Sequence, residues 1–398
     1  MKLFLKILLI IALVPQIALA FDFKEGGLCY NINDDGKTVT LTYERLILFA
    51  YDAPAPTEKG YIGNIEIPSV VYHEGKAYKV TAVDRSTFMG NSELVSVIIP
   101  SSVTSVGTEA FSQCHRLKWV SLPQSLTEIS SYAFAESSLN NIVIPNVKSI
   151  GERAFYNTPL KTVVIPPTVK TIDKSAFSAC RWLEELTLGK GVESIGEAAF
   201  SICTNLKEIT FPTSLQEIGT NAFFECGVIK SVTIPASVTR IGTGAFSYCD
   251  SLSVIEVDKK NEANDSRNKC NAIIEKATST LVAGCISTKI PKSVTSIGDQ
   301  AFAGCRGLKE ITIPSSVTTI GDQAFFYCKN LSSVNLPNSV TSIGNRAFCG
   351  CDSLETVIIP NSVKYIGPSA FLHNDHISAV TIGSGVTMIA EWAFKGLD

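Results

Sequence analysis

The sequence predicts a repeat solenoid built mostly of β-strand, because one short pattern returns along most of its 398 residues. A Phe, preceded by Ala in 12 of 13 copies, recurs at intervals close to 23 residues, and a short alternation of apolar and polar residues accompanies each copy. The chain is 45% hydrophobic and 18% charged, which is too apolar for a disordered protein. The repeat phenylalanines are Phe88, Phe111, Phe134, Phe155, Phe177, Phe200, Phe223, Phe246, Phe302, Phe325, Phe348, Phe371 and Phe394.

The pattern within each repeat predicts one coil of a stack. Val or Ile always stands five residues before the Phe, and Gly stands four before it in 9 of 13 repeats, where it favours a bend or a close backbone approach. Pro follows a short strand and ends it, because Pro cannot donate to a strand ladder. In the strand before Pro314, Ile311 and Ile313 point inward while Thr312 points outward. Such a coil buries little alone and closes a core only when it is stacked on its neighbours.

The segment from Ile313 to Leu331 follows the motif IP-x-SVT-x-IG-x-x-AF-x-x-C-x-x-L. This motif resembles the BspA-like, treponemal-type leucine-rich repeats of bacterial surface proteins, and the resemblance covers roughly residues 60–398. It implies a leucine-rich-repeat arc with a parallel strand on the concave face, a second short strand near the SVTSIG segment and a short helical turn around the Ala-Phe segment. Members of that family are linked with binding to extracellular matrix proteins and with bacterial coaggregation, so the resemblance implies a binding role.

Residues 1–20 predict a secretory signal peptide. Lys2 and Lys6 flank the start of an apolar run that continues to Val14, and Ala18-Leu19-Ala20 forms a small-residue cleavage site. The alternative is a transmembrane anchor, but the run is short for a membrane span. We therefore expect an exported protein that is extracellular or held at the cell surface, with the periplasm as the alternative location.

Residues 21–80 do not follow the repeat and predict an N-terminal β-rich cap. Within them, an Asn33-Asp34-Asp35-Gly36 turn separates two strand-like segments, which favours a hairpin. A solenoid needs an element of this kind to cover its first coil. The leucine-rich-repeat solenoid itself is assigned to residues 81–398.

One repeat is enlarged, at about residues 255–290, because one interval between repeat phenylalanines is 56 residues. Asp258 to Lys269 is strongly polar and predicts an exposed loop, and the segment NAIIEKATSTLVAG predicts a two-stranded hairpin. Cys270 and Cys285 flank this hairpin. The sequence leaves open whether they form a disulfide or are two packed thiols.

Eight cysteines stand three residues after a repeat Phe, where other repeats mostly place Asn, Ser or Thr. This composition favours a small hydrogen-bonding side chain. Adjacent coils would bring the Cα atoms about 4.8 Å apart, but nearly parallel Cβ vectors do not suit the disulfide dihedral of about 90°. We therefore expect a buried ladder of free thiols, with disulfides between coils or a metal-binding stack as alternatives. The eight residues are Cys114, Cys180, Cys203, Cys226, Cys249, Cys305, Cys328 and Cys351.

The sequence contains no catalytic or cofactor motif, so we expect neither an enzyme nor a cofactor. Lys and Arg number 34 against 37 Asp and Glu, and this balance gives no basic excess for nucleic acid. No GxSxG, P-loop or dinucleotide-binding glycine pattern is present. The segment His373-Asn374-Asp375-His376 lacks the HExxH spacing, so we expect no metal site. We also expect no small-molecule substrate.

An extended stacked face suits a large partner, and the outward strand positions form a candidate binding row. The row is dominated by Thr in its centre and is more apolar at its start. The alternative is that Val, Ile and Thr stand there only because they are good strand formers. The predicted ligand-binding residues, on the concave strand face, are Ser121, Val143, Val164, Thr187, Thr210, Thr233, Thr312 and Asn335.

Two functions remain open at this stage. The first is adhesion of a secreted or cell-surface protein to host matrix or to other cells, with an extracellular protein or glycan as the ligand. The second is a structural or assembly scaffold of the envelope without a dedicated ligand. The sequence ends within a repeat, and an exposed final coil would favour end-to-end self-association.

Overall fold

In the computed structural model, which describes residues 21–43 and 61–396, the repeats form a β-solenoid of about 13 turns. Most coils contain a first strand, and every coil has a second strand at the Val/Ile column followed by a turn that carries the repeat Phe. The predicted signal peptide over residues 1–20 lies outside the described residues.

Six strands of the described residues 21–43 and 61–83 precede the first Phe turn and connect to both strand sides of the stack. They are β1 (Phe23–Glu25), β2 (Leu28–Ile32), β3 (Thr38–Thr42), β4 (Gly63–Glu66), β5 (Val70–His73) and β6 (Lys76–Val83). β2 and β3 pair antiparallel as the predicted hairpin, and β6 lies between β3 and β5 in the same sheet. β6 also pairs in parallel with Ser105–Val106, and β4 pairs in parallel with Leu94–Ile98. The function of this segment as a cap stays a prediction.

The first strands carry the Ile-x-Ile alternation and pair in parallel, two or three at a time. Ladders join β4, β7 and β9, then β12 and β14, β17 and β19, β24 and β26, and β28 and β30, with the bounds that follow. The strands are β7 (Leu94–Ile98), β9 (Trp119–Ser121), β12 (Thr162–Val164), β14 (Glu185–Thr187), β17 (Ser231–Ile234), β19 (Val254–Val257), β24 (Glu310–Thr312), β26 (Ser333–Asn335), β28 (Thr356–Ile359) and β30 (Ala379–Ile382).

The second strands are only two residues long, but their parallel ladders are more continuous. Each places an Ile or Val of one coil opposite the equivalent residue of the next, as Ile195 lies opposite Ile218. One ladder runs from β10 to β18 and the other from β23 to β31. The strands are β8 (Ser105–Val106), β10 (Glu128–Ile129), β11 (Ser149–Ile150), β13 (Thr171–Ile172), β15 (Ser194–Ile195), β16 (Glu217–Ile218), β18 (Arg240–Ile241), β23 (Ser296–Ile297), β25 (Thr319–Ile320), β27 (Ser342–Ile343), β29 (Tyr365–Ile366) and β31 (Met388–Ile389).

The Ala-Phe segments are series of hydrogen-bonded turns, and the short helical turn implied by the resemblance is absent from them in the described residues. In the coil of Phe223, the N–H groups of Asn221, Phe223 and Glu225 donate to carbonyls of the next coil at 2.9–3.0 Å. The N–H group of Ala222 instead donates to the Gly219 carbonyl within the turn. Asn221 and Glu225 are left-handed, with φ of 55° and 59°. A helix would use every donor within one coil, so the ladder between coils replaces it.

The interior of the stack is a column of parallel phenylalanine rings. Adjacent repeat rings from Phe88 to Phe246, and again from Phe302 to Phe394, have centroids 4.9 to 5.7 Å apart and planes within 10° of each other. Burying each such side chain stabilises the fold by roughly 1.5–3 kcal/mol. The Gly column permits this spacing, since a Cβ on Gly219 would lie 2.6 Å from the carbonyl carbon of Gly196 in the preceding coil.

The enlarged repeat contains the predicted hairpin, which separates the buried residues into two hydrophobic clusters. Its strands are β21 (Ala272–Glu275) and β22 (Thr280–Gly284), and they pair antiparallel. Ile273 packs in the cluster of the earlier coils, whereas Ile274 packs in the cluster of the later coils. Gly284 takes the place of a repeat Phe, because its N–H donates to the Ala301 carbonyl at 2.7 Å. The hairpin is therefore an apolar partition between two halves of the stack.

The polar segment before the hairpin is only partly exposed, contrary to the expected exposed loop. It forms β20 (Asn264–Asp265) and a short 3-10 helix, Arg267–Lys269. Asn261 is 1% exposed, and its amide donates to the carbonyls of Pro235 and Val238 at 2.8 Å each. A buried amide must find such partners. Some polar side chains of this segment therefore hydrogen-bond to the turn of the preceding coil, and the others face solvent.

Candidate functional site

The eight predicted binding residues lie on one side of the stack, which we call the first-strand face and define as the solvent-facing side of the first strands. Seven of the eight are exposed, and Ser121 is partly buried. Val143 is 74% and Val164 is 57% exposed, while Val163 and Ile165 beside Val164 are at most 1% exposed. Because successive residues of an extended chain point to opposite sides, the row side chains point to solvent and do not pack in the core.

Part of the row lies in direct register. Val164 is opposite Thr187, and Thr312 is opposite Asn335. The enlarged repeat lies between Thr233 and Thr312, so the row has two segments. The remaining row members are Ser121, Val143, Thr210 and Thr233. Val143 and Thr210 lie in extended segments that form no first strand.

Sequence reasoning missed two exposed tryptophans on or beside this face. Trp119 is 44% exposed and lies two residues before Ser121 on the same strand. Trp182 is 59% exposed and lies just before the first strand of its coil. The signal for Trp119 was available, because residues i and i+2 of a strand face the same way.

Charged side chains run beside the row and pair between coils. Lys207 Nζ lies 2.6 Å from Glu184 Oε2, and Arg116 lies 3.1 Å from Glu93. The hydrogen bond and charge of Lys207 lower the pKa of the Glu184 carboxyl, and the same contact raises the pKa of Lys207. Because solvent screens these pairs, they stabilise the fold little.

The cysteine column, formed by the eight cysteines three residues after a repeat Phe, has hydrogen bonds and burial that indicate a structural role. The eight cysteines of the column are buried free thiols, and seven of them donate to the carbonyl of the preceding repeat Phe at 3.0–3.3 Å. Cys226, for example, donates to the Phe200 carbonyl at 3.2 Å. Burial raises the pKa of Cys226 to about 12. A thiol in this state is a poor nucleophile, since the thiolate is the reactive form.

The two cysteines that flank the hairpin are also free thiols. Cys270 packs in the hydrophobic cluster of the later coils and Cys285 in that of the earlier coils. The Sγ of Cys285 donates to the Asn271 carbonyl at 3.3 Å. The hairpin therefore directs the two side chains into different halves of the stack.

The segment His373-Asn374-Asp375-His376 contributes Asn374 to the cysteine column. Asn374 is fully buried, and its amide donates to the carbonyls of Phe348 and Phe371 at 2.9 and 2.7 Å. It thus replaces the cysteine of other repeats. Within residues 21–43 and 61–396, no three or more His, Cys, Asp or Glu side chains are grouped in a way that could hold a metal ion.

A groove of about 400 Å³ lies where the two second-strand ladders are interrupted. Ile241 and Val282 contribute apolar surface, and Thr280, Ser296 and Asp299 contribute polar atoms. The groove holds one carboxylate and hydroxyl groups, which do not form a nucleophile with an adjacent base. The geometry therefore favours the first-strand face over this groove as the candidate site.

The family model described as "BspA type Leucine rich repeat region (6 copies)" matches residues 81–193, 171–280 and 282–398. None of the curated proteins matches the chain. No helix of the described part of the chain has the length and apolar character that crossing a membrane requires.

Solved structures with the same fold extend this result. A leucine-rich repeat protein from Bacteroides ovatus is 26% identical, with a TM-score of 0.67, and the match covers 94% of this chain and 92% of that one. A leucine-rich cell surface protein from Faecalibacterium prausnitzii is 29% identical, with a TM-score of 0.69 and coverage of 94% and 93%. The pneumococcal vaccine antigen PcpA is 20% identical, with a TM-score of 0.56 and coverage of 93% and 82%, and shows the fold alone.

Proposed function

Because the chain belongs to the BspA-type leucine-rich repeat family, we propose that it is an exported, surface-associated module that binds a protein or glycan through its first-strand face. Adhesion to host matrix or to other cells is the function this face would serve. The description of the Faecalibacterium prausnitzii relative as a cell surface protein supports the location.

The observation that carries the proposal is the exposed row itself. Val143 and Val164 expose more than half of their surface although the strand could hold Thr there, as it does at Thr187. The Phe column and the ladders hold these side chains at fixed spacing, so little ordering entropy is lost when they contact a partner. An array of this kind suits a large, extended ligand.

Solid-phase binding of the purified chain to a panel of matrix proteins and glycans tests the proposal. We expect saturable binding to at least one panel member, and we expect Thr210→Arg to weaken it because the longer charged side chain stands on the face. Ser315→Arg is the matched control, since Ser315 is exposed in the turn after a first strand and lies off the row. An absence of saturable binding across the panel, or equal losses in both variants, contradicts the proposal.

A further inference from the structure

The first-strand face changes its chemistry along the stack, and its first coils carry an apolar strip. We define the apolar strip as Ile98, Trp119, Val143 and Val164, which are 40%, 44%, 74% and 57% exposed. Four coils spaced about 4.8 Å apart make the strip roughly 15 Å long. Ile98, Val143 and Val164 share one row, and Trp119 lies about 7 Å to one side of it, in the coil whose row residue is Ser121. In the following coils, the positions equivalent to Val164 are Thr187, Thr210 and Thr233.

Strand formation alone does not account for the strip. Thr has the same β-branched shape as Val and a similar strand preference, and the central coils use it at these positions. Val143 has the largest exposed fraction among the large hydrophobic side chains of the described residues. Contiguous exposed apolar surface on a soluble protein marks an interaction site more often than isolated residues do.

The charges beside the strip differ from those farther along the face. Lys118 and Lys161 are exposed, occupy equivalent positions two coils apart and enter no ion pair among the described residues. Beyond Val164 the equivalent position is Glu184, which already pairs with Lys207. Lys161 lies close enough to Glu184 to help lower the pKa of that carboxyl, but the ion pair of Glu184 is with Lys207, so neither Lys118 nor Lys161 is held in an ion pair within the described ranges.

We propose that the apolar strip docks an extended apolar segment of a protein partner whose acidic side chains pair with Lys118 and Lys161. The inference rests on the proposed function and names the partner class and the place of contact. The strip is one side chain wide except at Trp119, and this width fits one extended chain with every second side chain facing the surface. Three of the four strip side chains are aliphatic and offer none of the polar groups that a glycan needs, so a protein segment fits this surface better.

Fluorescence polarisation with labelled synthetic peptides tests the docking site. The probes are a twelve-residue peptide with alternating Val and Ile bounded by Asp, the same peptide bounded by Lys, and a version with Ser in place of Val and Ile. The purified chain should bind the Asp-bounded peptide at least about tenfold more tightly than either of the others, a factor that corresponds to about 1.4 kcal/mol. Added salt should reduce the preference for Asp over Lys.

Matched variants separate the strip from the rest of the face. The double variant Val143→Thr with Val164→Thr makes the strip resemble the central coils and should weaken binding of the Asp-bounded peptide about tenfold. Ile358→Thr is the control, since Ile358 is 65% exposed at the equivalent position of a later coil. Lys118→Glu with Lys161→Glu should reverse the preference toward the Lys-bounded peptide. Lys309→Glu, at the same position of a later coil, should leave the preference unchanged.

The outcomes distinguish this inference from the proposed function. Equal affinity for all three peptides, an unchanged affinity of the Val-to-Thr double variant, or capture of panel glycans by the strip in place of the peptides overturns the docking site. If the docking site is overturned but Thr210→Arg still weakens binding to a matrix protein, the proposed function stands without the docking site. Thermal unfolding of each variant verifies that folding is retained, which Thr at equivalent positions of other coils leads us to expect.

Discussion

A repeat phenylalanine within the column stacks on the rings of the coils on both sides, so one side chain contributes to three coils. Phe223 is fully buried and stacks on Phe200 at 5.5 Å and on Phe246 at 5.7 Å. Phe223→Ala should lower the free energy of unfolding by about 3–5 kcal/mol, through lost transfer energy and the cavity left behind. Thr233→Ala, on the exposed row, should cost well under about 1 kcal/mol. Urea unfolding measures both, and similar losses would mean that the faces are assigned wrongly.

Gly284 tests the same packing by the addition of a side chain, because even a methyl group would be too large there. A Cβ at this position would lie 2.1 Å from Cε1 of Phe302, whose ring is itself stacked on Phe325. Gly284→Ala should therefore destabilise the chain by about 1–3 kcal/mol. Gly227→Ala is the control, since no atom lies within 4 Å of the Cβ it would gain. An unfolding midpoint unchanged by Gly284→Ala would contradict the place given to Gly284 in the Phe column.

Thiols of the cysteine column donate hydrogen bonds from their own Phe turns to the Phe turns of the preceding coils. Burial raises the pKa of Cys180 to about 11 and of Cys114 to about 12, from an ordinary value of 9.0. The folded chain then holds protons that the unfolded chain has lost, so this contribution to stability is complete below about pH 9 and is lost as the pH rises to about 12. Urea unfolding between pH 8 and pH 11 should show falling stability, and iodoacetamide should label the column only in denaturant.

A serine variant isolates this effect. Cys226→Ser keeps a small hydroxyl donor in the column and removes one ionisable group. Ser137 occupies the same column in another repeat, where its hydroxyl donates to the Phe134 carbonyl of its own turn at 2.8 Å. Its stability should fall less steeply between pH 8 and pH 11 than that of the unchanged chain. Rapid labelling of the native column at pH 8 would show that these thiols are not buried as described.

The sequence predicted the elements whose signal lies within one repeat. The alternation around Ile311 placed the first strands, and the Asn33-Asp34-Asp35-Gly36 turn placed the hairpin of β2 and β3. The Gly column correctly indicated close approach of neighbouring coils. These features depend on residues close in the sequence, so periodicity is enough to find them.

What the sequence did not predict depends on contacts between coils. The helical turn expected from the resemblance is replaced by a ladder whose donors, such as the Phe223 N–H, reach the next coil. The burial of Asn261 depends on carbonyls of a coil more than twenty residues earlier. The concave curvature of the first-strand side came from the resemblance alone, and the more continuous ladders lie on the second-strand side. The apolar strip was visible at Val143 and Val164, and strand alternation could have added Trp119. The absence of ion pairs at Lys118 and Lys161 among the residues that the structure describes depends on contacts between coils and could not be read from the sequence.

At the scale of the whole molecule, the hairpin of β21 and β22 divides the stack. Stability in a solenoid is approximately the sum of each coil and its contacts with its two neighbours. The hairpin presents Ile273 to one cluster and Ile274 to the other and so separates the two apolar clusters. The Phe turns on its two sides still meet at the surface, where the Tyr248 N–H donates to the Ala303 carbonyl at 2.9 Å. Each half should therefore unfold with partial independence of the other.

Hydrogen exchange followed by mass spectrometry tests this division. Phe348→Ala removes a ring between Phe325 and Phe371 in the second half of the stack, and it should accelerate exchange of the ladder amides throughout residues 294–396. Amides of the ladders between β10 and β18 should keep their protection, because destabilisation passes from coil to coil and the hairpin interrupts that path. Phe200→Ala should give the converse pattern. Equal acceleration in both halves from either variant would show one cooperative core, and the hairpin would then be a spacer that transmits stability between the halves.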